Sequence, residues 1–256
     1  MIAQVLKVSV ERDDRLLRLT LSRPKANIVD AEMIDLMQSA LDEHVMRTDL
    51  LAILIDADGP HFSFGASVEE HLPDRCAAML SKIHKLVMSL IDSPVPVLAA
   101  VQGMCLGGGM EVVLGANRIF ASDTASFGQP EIKLGVFAPA ASCLLPELIG
   151  QARAEDLLFT GRTIDAATAH EYGLVDVIAK SPADAAIEYF DKHLSTLSGF
   201  SLRQAVQAAR ADFSASMRDK LMRVERQYLE QLMAGRDPVE GLHGFLEKRT
   251  PNWEHC

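Results

Sequence analysis

Along the first half of the chain, short runs rich in Val, Leu and Ile alternate with longer stretches in which apolar residues recur every three or four positions. Leu16 to Leu21, Leu51 to Asp56, Val95 to Val101 and Arg118 to Ala121 read as strands. Between them, Ala31 to Met46 places Ile34, Met37, Leu41 and Val45 on one helical face, and Arg75 to Ile91 does the same with Met79, Ile83, Leu86 and Leu90. Met1 to Asp14, where Val5, Val8 and Val10 alternate with polar residues, predicts a first strand rather than a secretion signal. This alternation predicts an α/β fold in which crossover helices cover a largely buried sheet.

Beyond about Gly150 the strand signal fades, apart from Leu174 to Ile178. Helical spacing then continues over Gln151 to Phe159, Pro182 to Leu197, Ser201 to Arg210, Arg218 to Met233 and Pro238 to Lys248. The expected division is a core over residues 1–195 and a helical C-terminal region over 196–256. The tail's apolar faces need cover, from the core or from a neighbouring subunit. No internal repeat and no low-complexity tract interrupts the pattern.

Composition narrows the class. At 256 residues, 48% hydrophobic and 23% charged, the chain has the balance of a globular protein with a well-buried core. Its net charge of −10 repels nucleic acid and anionic membranes as main partners, yet leaves room for a local basic pocket that holds one phosphorylated ligand. Cys76, Cys105, Cys143 and Cys256 are widely spaced without a C-x-x-C pair, as free thiols in a reducing compartment would be. No apolar run approaches the roughly 20 residues of a membrane span. A cytoplasmic location is the expectation.

Restrictive motifs remove several chemistries. The eight histidines form no H-E-x-x-H and no zinc clip with another His or Cys, so no metal site is expected. Gly103 to Gly109 lacks the lysine of a P-loop and the third glycine of G-x-G-x-x-G, and no G-x-S-x-G elbow occurs. What remains is Pro96 to Glu111, an apolar strand that passes through Gly107, Gly108 and Gly109 into a helical stretch. Glycines let a ligand approach the backbone, and the unpaired amides of a first helical turn stabilise an anion or a developing oxyanion. Glu111 is read in that first turn. A second carboxylate, Glu131, sits in the turn Ser126 to Ile132, and a third element, Gly59 to Ser67, contains Gly65 and a turn that could expose the Ala66 amide. Taken singly, each is also an ordinary packing turn, a helix-start carboxylate or a solvated loop glutamate. His61, beside aromatics, is read as packed and outside the site.

Taken in order, these segments resemble the enoyl-CoA hydratase, or crotonase, family. Arg23-Pro24-Lys25-Ala26-Asn27 is similar to its early loop, Phe64-Gly65-Ala66 to its first oxyanion turn and Gly107-Gly108-Gly109-Met110-Glu111 to its second. The likeness continues through Phe127-Gly128-Gln129-Pro130-Glu131, Thr160-Gly161-Arg162, Ala166 to Val175 and Phe245-Leu246-Glu247-Lys248-Arg249. The resemblance implies a spiral of ββα repeats with a helical C-terminal region that mediates trimers, often paired into hexamers. It implies that the amides of Ala66 and Gly108 polarise a thioester carbonyl, each worth on the order of 10²-fold in rate, while Glu111 and Glu131 hold and activate one water. Lys25, Ala26, Ser67 and Val68, with Phe245 and Lys248 from a neighbouring subunit, stand at its coenzyme A contacts. No separate cofactor is implied, because coenzyme A is part of the substrate.

Two departures stand out. Ser67 replaces the usual Asp after Gly-Ala, and Leu134 to Cys143 carries Phe137, Pro139 and alanines where family members have a glycine-rich loop. This resembles the branch that hydrates cyclic dienoyl-CoA thioesters in anaerobic benzoyl-CoA degradation, and implies a ring as the acyl group. A generic hydratase or double-bond isomerase is the alternative within the family, and a non-catalytic CoA- or RNA-binding scaffold the alternative outside it.

Overall fold

The central apolar runs of the first half are strands buried on both faces: Ala52–Ala57 and Val97–Val101 are buried at every position. The protein is described by a computed structural model covering residues 5–256, so the first four residues of the predicted opening strand lie outside the described residues. Strands β1 (Leu6–Glu11) and β2 (Leu16–Leu21) form an antiparallel hairpin, turned by Arg12, Asp13 and Asp14, all at positive φ. Helix α1 (Ala31–His44) starts at Asp30, whose carboxylate accepts from Met33 N at 3.0 Å. The chain then alternates through β3 (Ala52–Ala57), α2 (Cys76–Ile91), β4 (Val97–Val101), β5 (Met104–Leu106), α3 (Gly107–Leu114), β6 (Arg118–Ala121) and β7 (Ser126–Gly128). After these come α4 (Pro139–Ile149), α5 (Gln151–Thr160), β8 (Thr163–Asp165), α6 (Ala166–Glu171), β9 (Val177–Ile178), α7 (Pro182–His193), α8 (Gly199–Glu230) and α9 (Asp237–Leu246).

The large sheet has the order β1-β2-β3-β4-β6-β9 and is parallel from β2 onward; the small sheet has the order β5-β7-β8. Alternate residues of the large sheet enter separate cores. Ile53, Ile55, Val97, Ala99 and Val101 pack on the side of α1, α2 and α3, whereas Leu54, Leu98, Ala100 and Phe120 pack against Ala186 and Phe190 of α7. Only Gln102 and Gly103 separate β4 from β5, so the chain leaves one sheet for the other just before the glycine turn. This successive strand–strand–helix winding is the crotonase-like arrangement the resemblance implied.

Three predicted elements differ. Of Leu174 to Ile178 only Val177 and Ile178 pair with β6, because Leu174 and Val175 spend their amides on the Ala169 carbonyl that closes α6. Ser201 to Arg210 and Arg218 to Glu230 belong to one helix, α8, since the intervening Ala-Asp-Phe-Ser-Ala-Ser-Met holds no helix breaker and buries Met217, while the predicted end at Met233 falls in a 3-10 turn over Leu232–Ala234. Pro139 to Cys143, read as part of a loop, opens the helix Pro139–Ile149. The predicted boundary at 195/196 falls in the turn between α7 and α8, and Met217, Leu221 and Tyr228 of α8 join the same apolar core as α2 and α4.

Candidate active site

The two glycine turns meet because backbone pairing ties one to the other. Ser63 is buried; its amide donates to Met104 O and its carbonyl accepts from Leu106 N, both at 3.0 Å, which lays the Ser63–Ala66 turn along β5. The Gly65 amide donates to Ser63 Oγ at 3.1 Å. From the other side, Val29 N donates to Gly65 O at 3.0 Å and Phe64 N to Ala26 O at 2.9 Å. Asn27 anchors that early loop: fully buried at φ +44, its amide donates to Asp58 O and His61 O, both at 3.0 Å. His61 accepts from Met104 N at 3.1 Å, a structural role in keeping with its exclusion from the site.

Absence of side chains lets the turns close. A methyl group on Gly108 would stand 2.9 Å from Ala66 Cβ and 3.1 Å from Ala66 N, and one on Gly65, at φ +113, would stand 3.8 Å from Gly108 N. The amides of Ala66 and Gly108 therefore lie side by side. Gly107, Gly108 and Gly109 open α3, and Leu106 offers no side-chain cap, so their amides retain the unpaired donors and positive potential of a helix start.

Glu111 is the fifth residue of α3, in its second turn rather than its first. Its placement owes less to the dipole of its own helix than to the start of another. Ala138 provides no side-chain cap for α4, and Ala141 N donates instead to Glu111 Oε1 at 3.0 Å. The stretch read as a remodelled loop, Leu134 to Cys143, thus leaves the 3-10 turn Pro130–Leu134 through a reversal at Gly135 with φ +74 and enters a helix that begins on Pro139. Leu134 and Val136 face the cleft, while Phe137 packs edge-on against the Tyr228 ring, centroids 5.3 Å apart.

Glu131 lies in the 3-10 turn, its carboxylate so close to Gly107 that a methyl there would collide with it. Buried Gln129, with its amide nitrogen toward that carboxylate, donates to its oxygens at 3.1 and 3.3 Å. Burial pushes the proton affinity of Glu111 up, opposed by the Ala141 amide, the charge of His84 and the Ala140 amide. Burial and then the charge of Glu111 push Glu131 up, to about 8. Two carboxyls that feel each other this strongly titrate as a pair.

A cleft of about 680 Å³ runs past these groups. Ala66, Ser67, Val68, Glu131 and Phe245 face it; Gly108 and Glu111 lie one layer deeper. Lys25 is exposed beside Ala26, and Lys248 is exposed beyond the end of α9 at φ +55; neither lines the cleft. Phe245 reaches the cleft within its own chain, so the expectation that a neighbouring subunit supplies it is not needed: α9 folds back over the Pro130–Leu134 turn. Lys133 and His71 also face the cleft, and burial lowers the proton affinity of His71, whose Nδ1 bonds Ser67 O at 2.7 Å.

Sequence reasoning missed the groups behind the glutamates. His84, on α2, is buried with Nδ1 2.6 Å from Glu225 Oε2 of α8, and its Nε2 has no partner among the described residues. Its bond holds the Glu225 carboxyl below the usual range. A signal existed: His84 interrupts the apolar stripe of Leu80, Ile83, Val87 and Ile91. Among the described residues no helix is long and apolar enough to cross a membrane, and no cluster of three or more His, Cys, Asp or Glu is gathered to hold a metal.

Comparison with known proteins agrees with this geometry. The pattern of the enoyl-CoA hydratase/isomerase family matches residues 11–256. A cyclohexa-1,5-dienecarbonyl-CoA hydratase of Thauera aromatica is 60% identical over 250 residues, covering 98% of this chain and 97% of that protein. A probable enoyl-CoA hydratase of Mycobacterium bovis is 36% identical, covering 97% and 98%. Among solved structures, an enoyl-CoA hydratase of Mycobacterium avium subsp. paratuberculosis superposes with a TM-score of 0.84 at 25% identity, covering 98% of this chain and 99% of its own. One from Bacillus anthracis superposes at 0.77 with 28% identity, covering 99% and 100%. With a pattern match across nearly the whole length and a relative 60% identical over 98% of it, the chain belongs to the enoyl-CoA hydratase/isomerase family.

Proposed function

We propose that this enzyme hydrates a conjugated cyclic dienoyl-CoA thioester, converting cyclohexa-1,5-diene-1-carbonyl-CoA to 6-hydroxycyclohex-1-ene-1-carbonyl-CoA in anaerobic benzoyl-CoA degradation. The reading rests on one observation above others: Glu131 lies against Gly107 and Glu111 shares a helix with Gly108, so the two carboxylates needed to handle a water adjoin the glycine turn, in a chain 60% identical to a hydratase of that substrate.

The thioester oxygen accepts from Ala66 N and Gly108 N. Glu111, whose proton affinity the Ala141 amide, the His84 charge and the Ala140 amide draw down against the burial that raises it, takes a proton from the water. The resulting C–O bond sends an electron pair to the thioester oxygen, where the two amides stabilise it. Glu131, its proton affinity raised, delivers a proton to carbon and completes the addition of one water. Coenzyme A enters as part of the substrate and no other cofactor takes part. Lys133 on the cleft wall, with exposed Lys25 and Lys248, supplies positive charge for its phosphates in a chain of net charge −10. We read the assembly as a homotrimer or a pair of trimers in the cytoplasm, with no nucleic-acid partner.

Incubation of the purified protein with crotonyl-CoA and with the cyclic dienoyl-CoA, followed by mass analysis, tests the reading. A gain of one water on the ring substrate is expected. Hydration of crotonyl-CoA with the ring untouched means a generic hydratase, and a shifted double bond without added mass means an isomerase.

A further inference from the structure

The hydroxyl of Tyr228 is a buried polar group that the protein leaves unused. Tyr228 is fully buried on α8, and its oxygen has no hydrogen-bond partner among the described residues. A phenylalanine would fill the same volume without stranding a hydroxyl, so a core role gives the oxygen nothing to do. Its surroundings do. The ring is fixed edge-on against Phe137, centroids 5.3 Å apart. Phe137 directly follows Val136, a cleft residue, and lies four residues before Ala141, the donor that holds Glu111. Burial, then the charges of Cys76, Glu131 and Glu111, raise the proton affinity of the phenol, so it stays a donor throughout the working pH range.

We propose that Tyr228 is a substrate-contacting residue whose hydroxyl bonds the oxygen being added, first as the water held by Glu111 and Glu131 and then as the new secondary alcohol of the product. The inference rests on the hydratase reading above. Its chemistry is that of a third ligand for one oxygen: Glu111 accepts from the water, and Tyr228 donates to a lone pair that neither carboxylate uses. Phe137 is then the residue that fixes the angle of this donor, which gives the departure from a glycine-rich loop a specific purpose.

The test uses Tyr228→Phe and the wild-type enzyme, with turnover, melting temperature and calorimetric affinities measured for two CoA thioesters. These are 6-hydroxycyclohex-1-ene-1-carbonyl-CoA and cyclohex-1-ene-1-carbonyl-CoA, which differ by one hydroxyl. The wild type is expected to prefer the hydroxylated thioester by about tenfold, and the variant to lose that preference while its kcat falls about tenfold or more. The melting temperature stays level or rises, because the hydroxyl removed had no protein partner. An unchanged preference and kcat overturn the proposal, and so does a melting temperature several degrees lower, which places the hydroxyl in the protein's own bonding. If the wild type leaves the ring diene unchanged, the ring reading fails separately, and 3-hydroxybutyryl-CoA against butyryl-CoA decides the role of Tyr228 in the same way.

Discussion

The Ala141 amide donates to Glu111 Oε1 across 3.0 Å, so the start of α4 is capped by a carboxylate that belongs to α3. One bond therefore fixes the proposed general base and satisfies a helix terminus. Glu111→Gln retains the acceptor oxygen, whereas Glu111→Ala removes it and strands the amide. Both variants are expected to lose at least about 10²-fold in kcat, the usual weight of a general base. They differ in stability: the Ala variant melts lower than the Gln variant, by the equivalent of about 1 kcal/mol for a lost cap. Calorimetric melting of the pair, beside thioester binding that persists in the Gln variant, checks this. Equal melting temperatures mean that the cap carries no weight.

Glu131 has a consequence for stability with a definite sign. Its proton affinity is raised in the folded state, to about 8, chiefly by burial and then by Glu111. Folded protein therefore binds a proton that the unfolded chain releases near its ordinary carboxylate value, and stability falls as pH rises through that window. Glu131→Gln removes the penalty. The variant is expected to melt at the wild-type temperature near pH 4 and progressively higher than wild type toward pH 8, while its hydratase turnover drops by orders of magnitude. A stability difference that is constant with pH counts against the raised affinity.

Much of this was legible in the sequence because glycines and short motifs constrain backbone. Gly107 to Gly109, Gly65 and Asn27 sit where only a missing Cβ or a left-handed residue fits, and such positions leave a trace in the residue type itself. The bounds of β2 and β6 followed from short runs rich in β-formers, Leu16 to Leu21 and Arg118 to Ala121. What stayed hidden depends on neighbours distant in sequence. Ala141 became a donor to Glu111 only when α4 was placed beside α3, and alanine carries no mark of that contact. His84 and Glu225 are 141 positions apart and meet only because α8 lies over α2. Phe137 was conspicuous, but its contact, Tyr228, lay in a stretch that periodicity reads as plain helix.

The His84–Glu225 pair makes the acid side of the pH profile adjustable. The charge of His84 lowers the proton affinity of Glu111, against the burial that raises it. His84→Gln keeps a polar group next to Glu225 while removing that charge. The expected result is an acidic limb of kcat/KM displaced to higher pH, because Glu111 then protonates earlier as pH falls, with the basic limb less affected. A profile that merely scales down without moving assigns His84 to packing.

Gly108 tests the oxyanion geometry most directly. A methyl there would come within 2.9 Å of Ala66 Cβ and 3.1 Å of Ala66 N, distances at which the two turns must separate. Gly108→Ala is expected to lower kcat by about 10²- to 10³-fold, the usual effect of losing one oxyanion donor. Substrate affinity changes far less, because the developing charge, and not the ground-state carbonyl, depends most on two converging amides. A double variant with Glu131→Gln then loses less than the product of the two single losses, since proton delivery is useful only to an enolate that the amides have stabilised. Losses that multiply in full would mean that the oxyanion turns and the carboxylate pair act on separate steps.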